Sequence, residues 1–130
     1  MTHVHRRLRC FLGGAVFLAL LLTVHGRSQA HSILVESMPT QGARLLTPPS
    51  TAELRFNSRI EPGLTRVSLV EGRRRTALKV SKESVIDRII VPLPPLSPGV
   101  YSIVYKVLAV DGHVTKGSVQ FTVLPSDRAP

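Results

Sequence analysis

Two histidines and one aspartate are the residues of this chain best suited to hold a metal ion. His31 follows Ser28-Gln29-Ala30, a small-x-small pattern of the kind a signal peptidase cuts after. Cleavage there gives His31 a free α-amine, so amine and imidazole nitrogens of one residue can chelate one ion together. His113 stands in the tripeptide Asp111-Gly112-His113, and the other three histidines, His3, His5 and His25, all precede position 31. If the two ends of the domain meet, the donors are the amine and imidazole of His31, the imidazole of His113 and the carboxylate of Asp111. Three nitrogens and one oxygen in a tetragonal arrangement favour Cu(II), with Ni(II) and a tetrahedral Zn(II) site as competitors. Cu(I) prefers soft sulfur, and beyond position 30 the chain offers Met38 alone and no cysteine. Two plainer readings stand beside this one. Asp-Gly is a common turn dipeptide, and cleavage at Val24-His25-Gly26 instead would abolish the terminal chelate.

The segment ahead of His31 has the make-up of an export signal. Arg6, Arg7 and Arg9 form a basic start, followed by an apolar run over 10–24. That run is short of the ~20 residues a spanning helix normally needs, and Gly13 and Gly14 interrupt it. Residues 1–30 are therefore expected to be a cleaved signal peptide, 31–124 the working domain and 125–130 a tail, with the mature protein exported and soluble. The only cysteine, Cys10, lies in the leader, so the mature domain has no disulfide, thiolate metal site or cysteine nucleophile. All eight acidic residues and thirteen of the seventeen basic ones lie beyond position 30, leaving the mature domain at +5. The triplet Arg73-Arg74-Arg75 beside Glu71-Gly72 supplies much of this excess. With few aromatics to interleave, it reads as a solvated turn between strands in preference to a nucleic-acid or anionic-membrane surface.

The elements that must position the three residues are strands. Alternating apolar residues mark 33–37, 51–57, 64–70, 76–80, 85–91, 101–110 and 117–124, punctuated by turn signals such as Glu61-Pro62-Gly63 and Glu71-Gly72. The loop between the first two carries Gly42 and Pro48-Pro49, and the proline-rich stretch 92–98 excludes helix or central strand. Tyr101, Ile103, Tyr105 and Val107 share one face of the longest strand, and Val119, Phe121 and Val123 point inward from the last. Seven strands in 100 residues with no helical period predict an all-β, immunoglobulin-like β-sandwich or Greek-key barrel. In extended backbone Asp111 and His113 project to the same side; if Gly112 turns the chain, they still converge.

The segments HSILVESMPTQGARL, ELRFN and PGVYSIVYKVLAVDGHVTKGSVQFTV resemble the CopC/PcoC family of periplasmic copper-resistance proteins, in order and at compatible spacing over nearly all of 31–124. The resemblance implies an immunoglobulin-like β-barrel that binds Cu(II) through an N-terminal histidine brace. His31 matches the brace residue, and Asp111 and His113 match the remaining ligands. It also implies work beside a multi-spanning inner-membrane copper protein of the CopD type. The chain departs from the family pattern at several positions. It has no methionine-rich loop, Ile33 stands where some relatives carry another histidine, Tyr105 replaces a common tryptophan and Ala109 a frequent serine.

The expected function is thus sequestration of Cu(II), or its delivery to a membrane transporter, in copper resistance and homeostasis, without catalysis. Two other classes compete: a histidine-brace copper oxidase or monooxygenase, and a metal-free adhesion or assembly module. Asp111 beside the metal would fill a position that oxygen chemistry needs open. A metal-free module would retain no Cu(II) after dialysis.

Overall fold

A computed structural model describes residues 32–126 of the chain. Residues 1–31 and the last four residues lie outside the described residues, and with them His31, one of the three expected metal ligands. Among the described residues no helix is long and apolar enough to cross a membrane.

Eight strands form two packed sheets. They are β1 (Leu34–Met38), β2 (Ala43–Leu45), β3 (Thr51–Phe56), β4 (Arg66–Glu71), β5 (Arg74–Leu78), β6 (Arg88–Pro92), β7 (Gly99–Leu108) and β8 (Val114–Val123), with one 3-10 turn at Pro62–Leu64. One sheet has the order β1-β3-β6 and the other β2-β8-β7-β4-β5. The all-β sandwich expected from the alternation is the fold observed.

Alternation decides which face of each strand is buried. Ala52, Leu54 and Phe56 of β3 and Ile89 and Val91 of β6 pack against Val67, Leu69, Ile103, Val107, Val119 and Phe121 of the other sheet. The faces read for Tyr101 to Val107 and for Val119 to Val123 are the buried ones. Aromatic contacts seal both ends of β7. Tyr105 meets Phe56 edge to face with ring centroids 5.5 Å apart, and Tyr101 stacks on Phe121 at 5.6 Å. The Tyr101 hydroxyl also donates to the Ser97 carbonyl at 2.7 Å, pinning the proline-rich approach to β7 in the manner of a tyrosine corner.

Three expectations need correction. The stretch read as one loop after β1 contains β2, which pairs in parallel with β8 over Ala43 to Leu45. Three residues are too few for a period to show in sequence, and the partner lies almost eighty positions away. The basic triplet is not wholly a turn: Gly72 and Arg73 turn the chain, while Arg74 and Arg75 open β5 at the sheet edge. The long strand stops at Leu108 and not at Val110, because the chain turns through Asp111 and Gly112.

Candidate metal centre

The β7–β8 hairpin builds the Asp-Gly-His half of the site. The Gly112 N–H donates to the Ala109 carbonyl at 2.9 Å and the Ala109 N–H to the His113 carbonyl at 2.8 Å. This closes a three-residue loop with Gly112 at φ +88°, the left-handed position that such a hairpin reserves for glycine. Asp111 and His113 are therefore not successive same-side residues of a strand. The turn brings them together instead.

Their side chains face each other. Asp111 Oδ1 accepts the His113 backbone N–H at 3.1 Å, and Asp111 Oδ2 lies 3.1 Å from His113 Nδ1. The backbone N–H of His113 is the main reason the Asp111 carboxyl is held below its ordinary 3.8; desolvation, second in size, opposes it, and the His113 side chain adds to the lowering. Asp111 is thus an anion at neutral pH. Two donor atoms each about 2.0–2.2 Å from one first-row ion, at roughly right angles, stand about 3 Å apart. The spacing of Nδ1 and Oδ2 fits two adjacent ligands of one metal.

The other half begins at Ser32, and one short segment ties the two halves together. Ser32 is buried, and its hydroxyl is hydrogen-bonded to that of Ser58. Ile33 donates to Asn57 Oδ1 at 2.7 Å and accepts from the Asn57 N–H at 3.0 Å. Two residues on, the strap turns to the hairpin: Arg59 accepts from the Val110 N–H at 3.0 Å, and Ile60 bridges Ala109. The strap 57–60 therefore holds Ser32, the neighbour of His31, and Val110, the neighbour of Asp111, at the same end of the sandwich. An open groove of about 680 Å³ continues from there between β1 and β8, lined by Ser32, Ile33, Val114, Thr115 and the Tyr105 ring among others.

Among the described residues, no three His, Cys, Asp or Glu side chains form a metal-binding group. Asp111 and His113 supply two donors, and the third sequence-derived ligand, His31, is beyond the described residues. Sequence reasoning missed the strap. Asn57 and Ser58 look like ordinary turn residues after a strand, and only the tertiary contacts give them their role.

Fold and half-site define a small immunoglobulin-like β-sandwich with an Asp-Gly-His hairpin and its first strand at one end. The CopC domain family model matches residues 34–124, and the chain belongs to that family. It is 31% identical over 98 residues to Protein YobA of Escherichia coli K12, covering 72% of this chain and 79% of that protein. It is also 31% identical over 103 residues to Copper resistance protein C of Xanthomonas campestris pv. juglandis, at 72% and 80% coverage. Among solved structures it is similar to CopC from Methylosinus trichosporium OB3b, with TM-score 0.67, 26% identity, and coverage of 77% of this chain and all of that one. PcoC of Escherichia coli, described as a methionine-rich copper resistance protein, shares the fold with TM-score 0.63 at 22% identity, covering 72% and 99%.

Proposed function

We propose that this protein binds one Cu(II) ion per chain and keeps it sequestered or passes it to a membrane copper transporter. The observation that carries the reading is the strap: Ser32 and the Asp111 turn are fastened within three residues of each other on 57–60. In this reading residues 1–30 are removed on export to the periplasm, 31–124 are the copper-binding domain and 125–130 a tail. His31 contributes its new α-amine and its imidazole, and Asp111 and His113 complete the set. A nitrogen-rich set with one hard carboxylate selects Cu(II) over Cu(I).

Binding and release then proceed by ligand exchange, with no group of the chain undergoing net chemical change. The amine and imidazoles bind only when deprotonated, so acid opposes loading. The acceptor in this reading is a CopD-type inner-membrane protein, reached by the exposed end of the sandwich. All four aromatic residues beyond position 31 (Phe56, Tyr101, Tyr105 and Phe121) are in the core, so none forms the exposed platform a polymer-oxidising enzyme uses.

Exported protein loaded with Cu(II) and then dialysed tests the reading. One equivalent retained by the wild type, and a loss of at least about a hundredfold in affinity for His113→Ala, is the expected result. Equal retention by the variant contradicts it.

A further inference from the structure

The two sheets carry opposite electrostatic designs on their outer faces. On β1-β3-β6 the charges are paired: Arg55 meets Glu36 at 2.8 Å and Arg88 meets Glu53 at 3.1 Å. On the five-stranded sheet, alternation and register put Arg44, Arg66, Arg75, Lys106 and Lys116 on the outward face, one on each strand. All five are exposed, the strand residues sharing that face include no Asp or Glu, and none of the five pairs with a carboxylate among the described residues. Arg66, Lys106 and Lys116 are directly opposed across β4, β7 and β8, an arrangement in which like charges repel. Nothing in the packing calls for that repulsion.

The floor between these cations is low. Ser68, Val104 and Ser118 form the next row, with Ser102 and Gln120 beyond it. Long Lys and Arg stems therefore stand highest on a sheet face about 19 Å across, taking four strand spacings of ~4.8 Å. Positive charges spread singly over every strand suit a planar anionic surface better than a single extended acidic peptide, which would need them along one line.

We propose that this face docks the protein on an anionic lipid bilayer surface, through the headgroup phosphates and the field of the leaflet. The attraction is peripheral and reversible, and it leaves the hairpin end of the sandwich at the side of the contact. It is independent of the copper reading, since none of the five cations belongs to the proposed ligand set.

The test is co-sedimentation of the exported, processed protein with vesicles of phosphatidylcholine alone, or with about one third phosphatidylglycerol, at about 0.02 M and about 0.5 M salt. Binding is expected only to the anionic vesicles and only at low salt. Lys106→Glu with Lys116→Glu weakens it at least about tenfold, and the milder Lys106→Gln with Lys116→Gln weakens it less. Arg73→Glu with Lys82→Glu, the same change in net charge placed off this face, leaves most of the binding intact. Thermal unfolding is not lowered in the Lys106→Gln with Lys116→Gln variant, which relieves the cross-strand repulsion, and its Cu(II) retention is unchanged, which separates failure of docking from failure of folding or of the metal site. Equal loss in both Glu pairs, or no binding to anionic vesicles, overturns the proposal. Binding to polyglutamate but not to vesicles also overturns it, and assigns the face to an acidic protein.

Discussion

A methyl group at position 117 would lie 2.2 Å from the Tyr105 hydroxyl oxygen and 2.5 Å from the ring carbon that bears it. Tyr105 and Gly117 are cross-strand partners on β7 and β8, and the phenol covers the space that glycine leaves. The ring also packs edge to face on Phe56, so any shift away from a methyl at 117 disturbs that contact. Gly117→Ala is expected to cost about 1–3 kcal/mol as an overpacking substitution. Urea unfolding measures it, and a Tyr105→Leu background should lessen the cost of Gly117→Ala. An unchanged cost in that background contradicts the steric account.

The two tyrosines also set an alkaline limit to stability. Burial, with the Glu71 charge second, raises the Tyr101 phenol above its ordinary 10.0, and burial does the same for Tyr105. A group whose pKa is higher folded than unfolded contributes its full stability below the unfolded value. That contribution is lost as pH rises from about 10 through the folded values. Denaturant midpoints measured from neutral to strongly alkaline pH should fall for the wild type above about pH 10 and fall less for Tyr101→Phe with Tyr105→Phe. At neutral pH Tyr101→Phe alone should cost about 1 kcal/mol, the worth of its bond to Ser97.

Removal of the strap's anchors should reach both stability and metal. Ser58→Ala leaves the buried Ser32 hydroxyl without its partner, at a cost of about 1–3 kcal/mol. Because Ser32 adjoins His31, Cu(II) affinity of the exported variant should also fall, read by competition titration against a chelator. Full affinity in a destabilised variant would show that the strap supports the fold alone.

Gly112→Ala probes the hairpin without touching a donor atom. The residue has open space around its missing side chain, so the expected cost of about 1 kcal/mol comes from backbone at φ +88° and not from a clash. A loop relaxed away from that angle separates Asp111 from His113, and Cu(II) should bind more weakly. Asp111→Asn keeps the acceptor for the His113 N–H but removes the charge, so it should lower affinity with little effect on stability.

Much of the fold was legible because burial and strand period coincide. Tyr101, Ile103, Tyr105 and Val107 alternate with polar or half-exposed neighbours, and their face is the core face. The candidate site was legible only as residue types. Asp111 and His113 are near in sequence, so their meeting required one turn; the link from that turn to Ser32 runs through Ser58 and Arg59, which carry no local signal. Parallel pairing of β2 with β8 and the cations gathered from five strands were hidden for the same reason. Each depends on register between distant segments.

In the proposed function a newly exposed amine at His31 completes the metal site. Mass spectrometry of the exported protein should find His31 as its first residue. Cu(II) electron paramagnetic resonance on that protein should show a tetragonal, nitrogen-rich site. A form retaining Ala30 should bind Cu(II) far more weakly and give a different spectrum, because its His31 nitrogen is an amide. Identical spectra and equal affinity in the two forms would contradict the account.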